Sequence, residues 1–188
     1  MTDISAFLAS RRSVPARLLA PPLPDAAQLS TMLAAATRVP DHGKLEPWRM
    51  LVLTRPACQR LAALIDQIGT ARGDDPERLA KTIAGFSGAH LIVAIVACPV
   101  EHRAIPAWEQ HMSAGGVCLG LLNAAEAMGF RGNWLTGWPA VDHSFLTEGL
   151  GLSATEFVAG FVHLGTATDL PPDRPRPDPA TKTVWVTS

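Results

Sequence analysis

The stretch Leu91-Ile92-Val93-Ala94-Ile95-Val96-Ala97 is apolar at every position and rich in β-branched residues. An unbroken apolar run of this length, followed by the breaker Pro99, is typical of a β-strand that is covered on both faces. Such a strand lies in the interior of a sheet and has helices above and below it. The run therefore predicts a central strand, around which the rest of the chain is packed.

Helical periodicity marks the segments on both sides of this strand. Apolar residues recur every three or four positions there, which is the spacing of one face of a helix. The predicted helices are Asp3 to about Ser10, Asp25 to Thr37 with Asp25 as its cap, a segment through Leu61, Leu64, Ile65 and Ile68, a segment through Leu79 and Ile83, and a brief helix from Asp142 to Leu150. Gly69 to Pro76 is expected to interrupt the helical pattern between the third and the fourth.

The longest predicted helix runs from Trp108 to Met128. It is apolar nearly all round, so we expect it to be buried in the core or at a subunit interface. Gly115, Gly116 and Gly120 lie inside it, and glycine weakens a helix by up to about 1 kcal/mol relative to alanine. Close approach of a second helix, or of a flat ligand, is the natural compensation. Gly129 is expected to end the helix.

Further strands are predicted at Met50 to Leu53, at Phe130 before a Gly- and Trp-rich turn, and at Glu156 to Gly165. Pro171 to Pro179 is too rich in proline and charge to pack as the interior of a helix or sheet. The β-prone segment Thr183 to Thr187 follows it on a long tether and can reach a partner subunit. We find no internal repeat, and we expect one domain over residues 1–188 with an extension over about 168–188.

Composition limits the class of protein and the kinds of partner. Of the 188 residues, 47% are hydrophobic and 18% are charged, which is typical of a globular domain with apolar surface to spare for a subunit interface. The net charge of −1 gives no electrostatic basis for binding nucleic acid or an anionic membrane. No run reaches the roughly 20 apolar residues of a membrane span. Three cysteines without metal-ligand spacing favour reduced thiols and a cytoplasmic location.

Two basic segments are candidates for binding an anion. Arg11-Arg12-Ser13 places two guanidinium groups and a hydroxyl side by side, which suits a phosphate monoester. The alternative is that these cations only complement the end of the preceding helix. Arg38 to Arg49 is a basic loop that is stiffened by Pro40 and Pro47, and it suits a flat anionic ligand. The alternative for this loop is an ordinary connection with a solvated charge cluster.

The main classes of side-chain catalysis lack their motifs. No Gly-x-Ser-x-Gly turn is present, and no Gly-x-x-x-x-Gly-Lys-Ser/Thr loop. The histidines form no pair at close ligand spacing, so no metal site is predicted. We therefore name no catalytic side chain, and the remaining features suit a bound organic cofactor better.

At these residues the sequence resembles the nitroreductase family of flavin enzymes, and within it the compact subgroup of NAD(P)H nitroreductases that begin with Arg-Arg-Ser. The similarity is collinear over almost the whole chain. It is carried by Arg11 to Ser13, Arg38 to His42, Pro47 to Arg49, Trp108 to Gly115, Gly129-Phe130, Trp134 with Gly137, and Gly160 to Gly165. The resemblance implies an α+β, nitroreductase-like fold with a central, mostly antiparallel sheet flanked by helices. It also implies an intertwined homodimer with two FMN sites at its interface.

The resemblance further implies which residues bind FMN. By matching position, Arg11, Arg12 and Ser13 would hold its phosphate and ribityl chain. The flavin would be lined on one side by Trp134, Leu135 and Thr136. Arg38 and His42 would reach the neighbouring site from the other subunit, with Arg38 as the cation near the pyrimidine edge. Family members exchange C-terminal segments, which fits the tethered Thr183 to Thr187.

The implied activity is an NAD(P)H-dependent flavin oxidoreductase. Hydride would pass from NADH or NADPH to FMN, and then to a nitroaromatic or quinone-like acceptor in a ping-pong cycle. One alternative is another flavin reaction, such as reductive dehalogenation, against which the short Cys98 to Pro106 connection argues. A second alternative is a flavin-binding or flavin-storing protein without nicotinamide-driven turnover. Leu45 and Pro15 stand near positions where larger relatives carry Asn and Lys, so nitro substrates do not follow directly from the resemblance.

Overall fold

The elements follow one another along a computed structural model that describes residues 3–187. Met1, Thr2 and Ser188, at the ends of the predicted domain, lie outside the described residues. The elements are α1 (Ile4–Ser10), α2 (Ala26–Ala36), β1 (Trp48–Thr54), α3 (Arg55–Arg72), α4 (Pro76–Ser87), β2 (Leu91–Ala97), α5 (Ala107–Ala127), β3 (Arg131–Leu135) and β4 (Phe157–Gly165). Within residues 3–187, none of these helices combines the length and the apolarity that crossing a membrane requires.

The strands form an antiparallel sheet in the order β1-β2-β4-β3. Every residue of β2 is buried, as the unbroken apolar run predicts for a central strand. One face of the sheet packs against α3 and α4, and the other face packs against α2 and α5. The α+β fold with an antiparallel sheet flanked by helices is therefore confirmed.

Helix α2 begins with the predicted cap. The Asp25 carboxylate accepts a hydrogen bond from the backbone N–H of Gln28 at 2.8 Å, and the Gln28 side chain accepts one from the Asp25 N–H at 3.0 Å. This reciprocal pair satisfies two donors that a helix start leaves without partners.

The glycines of α5 differ in how closely they are packed. A Cβ at Gly120 would lie 2.9 Å from the carbonyl oxygen of Ala36, which places the backbone of α2 directly against α5. A Cβ at Gly115 would lie 3.7 Å from the indole of Trp134 on β3. The predicted approach of a second helix is confirmed at Gly120, whereas a Cβ at Gly115 would make only an ordinary contact.

The expected interruption over Gly69 to Pro76 is confirmed but is shorter than expected, because α3 runs to Arg72 and α4 begins at Pro76. Helix α3 continues to Arg72 and ends at Gly73, whose φ of 75° is the left-handed conformation of a helix end. Gly69 lies inside α3, and the Leu79 side chain of α4 occupies the space that a Cβ there would need. Gly69 is therefore a point of close contact between two helices. The sequence pattern does not distinguish such a glycine from one that ends a helix.

Two other predicted elements also differ from expectation. The brief helix over Asp142 to Leu150 takes a wider π-helical turn at Phe145–Gly149. Thr183 to Thr187 is not a strand in the single chain, and the side chains of Val184, Trp185 and Val186 are almost fully exposed. A strand needs a neighbour for its backbone hydrogen bonds. Whether this segment finds one on a partner subunit stays a prediction.

Candidate functional site

The segment that carries Arg11, Arg12 and Ser13 lies along the outer edge of β3. The backbone N–H of Val14 donates to the carbonyl oxygen of Gly132 at 3.1 Å, and Asn133 Nδ2 donates to the carbonyl oxygen of Val14 at 2.9 Å. These bonds hold the segment against the strand. A cavity of about 300 Å³ opens beside it, and we call it the arginine pocket. It is lined by Arg11, Arg12, Ser13, Pro15, Asn133, Arg174 and Arg176.

The arginine pocket carries an excess of positive charge. Among residues 3–187, one of its four guanidinium groups forms an ion pair with a carboxylate. In that pair, Arg176 Nη2 lies 3.1 Å from Asp173 Oδ1. Arg12 Nη1 donates to the carbonyl oxygen of Ser13 at 3.1 Å, and Arg11 Nη1 donates to Ser13 Oγ at 3.4 Å. Carbonyl and hydroxyl oxygens do not neutralise a guanidinium charge. The pocket therefore suits an anion with several oxygens, such as a phosphate.

Arg174 and Arg176 belong to the site although the sequence analysis treated their segment as an unpacked extension. The tail is held against the first loop because Arg176 Nη2 donates to the carbonyl oxygen of Arg11 at 3.2 Å and Arg12 Nε donates to that of Pro172 at 3.3 Å. The available signal was the run Arg174-Pro175-Arg176, in which proline stiffens the backbone between two arginines. No local pattern indicates that this run folds back across about 160 residues to reach Arg11.

A second cavity of about 300 Å³, which we call the α4 cleft, separates α4 from the ends of β3 and β4. It is lined by Lys81, Thr82, Gly85, Phe86, Leu135, Thr136, Gly137, Trp138, Phe161 and His163. Gly85 leaves part of this space open, since a Cβ at that position would meet nothing within 4 Å. The aromatic rings give the cleft an apolar wall that suits a flat ring, and Lys81 supplies a cation.

The two cavities adjoin along one face of β3. Asn133 lines the arginine pocket and Leu135 lines the α4 cleft. Residues two apart on a strand point to the same face and are separated by about 7 Å. His163 pairs with Asn133 across the strands and also lines the cleft. A ligand with an anionic group at one end and a flat ring at the other can therefore lie across both cavities.

Trp134 points to the opposite face of β3. Its indole lies between Gly115 of α5 and Gly160 of β4, where the Trp134 ring occupies the place of a Cβ at Gly160. The indole Nε1 donates to the carbonyl oxygen of Ala159 at 3.1 Å. Of the three residues that the resemblance places beside a flavin, the single chain brings Leu135 and Thr136 into the α4 cleft and leaves Trp134 outside it.

Arg38 and His42 lie away from both cavities of the same chain. Arg38 is exposed. His42 Nδ1 lies 2.7 Å from Glu109 Oε2 of α5. The His42 side chain also lines a third cavity of about 360 Å³, together with Trp108 and Met112. This cavity borders the exposed side of α5. A contact of these two residues with the ligand of another subunit stays a prediction.

The loop from Arg38 to Arg49 is braced by its own carboxylate. Asp41 accepts hydrogen bonds from the backbone N–H groups of Leu45 at 3.2 Å and Glu46 at 2.9 Å. Lys44 and Glu46 are held at φ values of 54° and 48°, a conformation that residues with a Cβ rarely adopt. The loop is thus more rigid than an ordinary solvated connection. Its sequence indicated stiffness at the prolines but not this left-handed backbone.

Arg49, the last basic residue of that loop, is committed to an ion pair. Its guanidinium donates to both carboxylate oxygens of Glu156, at 2.7 and 3.2 Å. This bond is the main reason that the pKa of Glu156 falls to about 2. The neighbouring Cys98 thiol donates to Glu156 at 3.1 Å, and burial is the largest cause that raises its pKa to about 11. Cys98 is therefore a poor nucleophile, and the cluster ties β1 to the start of β4.

Comparison with known proteins assigns the family. The model of the Nitroreductase family matches residues 8–166. The chain belongs to the nitroreductase family. The resemblance stated from its motifs is thereby confirmed. One relative of this nitroreductase-family chain is "Putative NAD(P)H nitroreductase YdjA" of Escherichia coli K12, 35% identical over 164 residues that cover 87% of this chain and 88% of that protein. Another is the "Putative NAD(P)H nitroreductase" of Haemophilus influenzae, 32% identical over 169 residues that cover 89% and 90%.

Solved structures share the nitroreductase fold. A nitroreductase-like family protein from Bacillus cereus superimposes with a TM-score of 0.81 at 20% identity, over 99% of this chain and 97% of the other. A nitroreductase from Bacteroides fragilis, with bound FMN, superimposes with a TM-score of 0.74 at 20% identity over the whole of both chains. At this level of identity the similarity concerns the fold alone.

Proposed function

We propose that the chain is an FMN-dependent NAD(P)H oxidoreductase that reduces nitroaromatic or quinone-like acceptors by a ping-pong mechanism. The observation that carries the proposal is the arginine pocket, with its excess positive charge, next to the α4 cleft on one face of β3. The curated relatives named as NAD(P)H nitroreductases and the FMN-bound structure from Bacteroides fragilis support it.

The residues of the arginine pocket fit the phosphate of FMN. A phosphate monoester carries about two negative charges at neutral pH and accepts several charge-assisted hydrogen bonds. Arg11 and Arg12 approach from the loop before β3, and Arg174 and Arg176 approach from the tail. Ser13 adds a hydroxyl between them. The pocket would hold the anionic end of the cofactor, because it supplies the positive charge that the anion needs.

The residues of the α4 cleft fit a flat ring. Leu135 and Thr136 form one side, while Gly85 keeps space open on the side of α4. When bound, FMN supplies the capacity to accept a hydride from a nicotinamide and to pass it on to an acceptor. The chain itself orients the ring and keeps water from one of its faces. No side-chain acid or base is required for that role.

Lys81 is a second candidate, besides Arg38 of the other subunit, for the cation of the ring site. It lines the α4 cleft and has no ion-pair partner among the described residues. Its ammonium group would offset the negative charge that reduction brings into the cleft. Arg38 of the same chain is exposed and lines neither cavity, so its contribution would have to come from a second subunit.

We further propose that the chain acts as a homodimer through the exposed side of α5. Trp108, Met112 and Leu119 are 59%, 68% and 46% exposed on this otherwise well-packed helix. A row of large apolar side chains on one helix side indicates an interaction surface. His42 and the third cavity border this side, so pairing would bring them to the partner.

Met112→Glu should convert a dimer into monomers, which sedimentation analysis would measure, while Glu77→Gln serves as a surface control.

The experiment that tests the function is an absorption spectrum of the purified protein, followed by anaerobic addition of NADPH and then NADH. We expect a flavin spectrum that bleaches with at least one donor and returns when a quinone or nitroarene is added. A bound flavin that stays oxidised would favour a storage role or another reaction. A protein that binds no FMN after reconstitution would contradict the proposal.

A further inference from the structure

His163 is a buried polar side chain that the fold does not use. It lies on β4 and is 3% exposed, among Phe86, Phe161 and the other residues of the α4 cleft. The Phe86 ring packs against it edge to face, with ring centroids 6.4 Å apart. The imidazole makes no hydrogen bond with residues 3–187. A largely buried polar group without a hydrogen-bond partner is unfavourable, so its presence in an aromatic wall requires a reason.

The side chain of His163 borders the α4 cleft. Neither ring nitrogen of His163 is fully enclosed. In the described part of the chain, Asn123 Oδ1 is the one side-chain nitrogen or oxygen that is both fully enclosed and without a partner. His163 lines the α4 cleft, so a ligand in this cleft would lie next to its imidazole. Burial lowers the pKa of His163 to about 4, so the imidazole is neutral at pH 7 and offers one donor and one acceptor.

The position of His163 selects which part of a ligand it meets. Its cross-strand partner Asn133 lines the arginine pocket, and Leu135, one residue pair away on the same face, lines the cleft. His163 therefore lies at the boundary between the anionic end and the ring end of the site. In FMN, the ribityl chain joins those two ends and carries hydroxyl groups, which both donate and accept hydrogen bonds.

We propose that His163 is a specificity-determining residue that hydrogen-bonds a ribityl hydroxyl of the bound flavin. The inference rests on the proposed FMN site and adds to it a residue outside the motifs that carry phosphate and ring recognition. A neutral imidazole suits this role because a hydroxyl satisfies either of its tautomers. The contact would make the cleft favour flavins with a polyol chain over bare flat rings.

The test compares three ligands on the apoprotein of the wild type and of His163→Phe. FMN, riboflavin and lumiflavin share the ring, but lumiflavin carries a methyl group in place of the ribityl chain. Dissociation constants from fluorescence quenching at pH 7.5 should rise about tenfold for FMN and riboflavin in His163→Phe and stay unchanged for lumiflavin. His163→Gln, which retains a donor and an acceptor, should stay within about threefold of the wild type for all three ligands.

Thermal unfolding of the apoproteins separates this role from a structural one. His163→Phe should melt at or above the temperature of the wild type, because it replaces an unpaired polar ring with an apolar one. Equal FMN affinity in His163→Phe and wild type would overturn the inference, as would an equal loss for all three flavins. A wild type that binds none of them would contradict the proposed function itself.

Discussion

Gly160 and Gly85, on opposite sides of the sheet, differ in the space around them. On the side of α5, a Cβ at Gly120 would meet the Ala36 backbone, and a Cβ at Gly115 would meet the Trp134 indole. A Cβ at Gly160 would meet both Trp134 and Cys118. On the side of α4, a Cβ at Gly85 would meet nothing within 4 Å. The first side is closed by close packing, and the second keeps a cleft next to the arginine pocket. Gly160 thus permits close contact, and Gly85 preserves space.

This difference underlies the proposed placement of the ligand on the side of α4. Substitutions on the closed side should alter the free energy of unfolding and leave ligand affinity alone. Substitutions around the α4 cleft and the arginine pocket should alter affinity and leave unfolding almost unchanged. Each of the following variants is expected to sharpen that contrast or to contradict it.

Gly160→Val should have the largest effect on stability. A branched side chain would collide with the Trp134 indole and would approach Cys118 Sγ, which lies 2.8 Å from the place of a Cβ. We expect the free energy of unfolding to fall by about 2–4 kcal/mol. Urea denaturation of the apoprotein measures it, with Gly85→Val as the matched control on the open side. A loss of similar size at Gly85 would contradict the contrast.

Arg12→Ala should weaken FMN binding by about 10- to 100-fold, equivalent to about 1.4–2.7 kcal/mol. The side chain lines the arginine pocket and forms no ion pair among the described residues, but its Nε donates to the carbonyl oxygen of Pro172, so the loss includes any release of the tail that carries Arg174 and Arg176. Flavin retained after gel filtration, together with the melting temperature of the apoprotein, measures both effects. Arg17→Ala, on an exposed turn outside the pocket, is the control. Equal flavin occupancy in Arg12→Ala and wild type would rule out the phosphate site.

Glu156→Gln should reduce stability in a pH-dependent manner. The pKa of Glu156 is lowered to about 2, first of all by the hydrogen bond from Arg49. A lowered carboxyl pKa contributes stability that is fully present above the unfolded value near 4.5 and is lost as pH falls toward 2. We expect a loss of about 1–2 kcal/mol at pH 7, discounted because Arg49 is partly exposed. Denaturation at several pH values should show the difference from wild type shrinking below pH 4.5; a constant difference would contradict the assignment.

Gly85→Ala should produce the smallest change, with opposite signs for stability and binding. Alanine favours a helix over glycine by about 0.5–1 kcal/mol, and the site has room for its methyl group. The apoprotein should therefore be slightly more stable, while FMN affinity falls a few-fold because the cleft narrows. Paired unfolding and titration curves measure both. A gain in stability without any change in affinity would place the ring of the cofactor elsewhere.

Local patterns predicted most of the fold. The unbroken apolar run from Leu91 to Ala97 indicated the central strand, and helical spacing indicated α1 to α5. These predictions succeed because burial on both faces of a strand, or on one face of a helix, imposes a repeat that neighbouring residues reveal. The interruption expected over Gly69 to Pro76 is confined to residues 73–75, since Gly69 admits Leu79 from another helix and stays inside α3.

The sequence by itself determined the residue types of the site, and tertiary structure decided how they are grouped. Arg11, Arg12 and Ser13 were proposed from their local chemistry, and Leu135 and Thr136 were proposed from the family resemblance. Arg176 contacts Arg11 only because the tail folds back. Trp134 and Leu135 lie on opposite faces of β3, because successive side chains of a strand alternate, and the Trp134 indole packs against α5. His163 becomes notable only through its register opposite Asn133 and its burial beside a cavity. Such juxtapositions depend on contacts between distant segments, which no local repeat encodes.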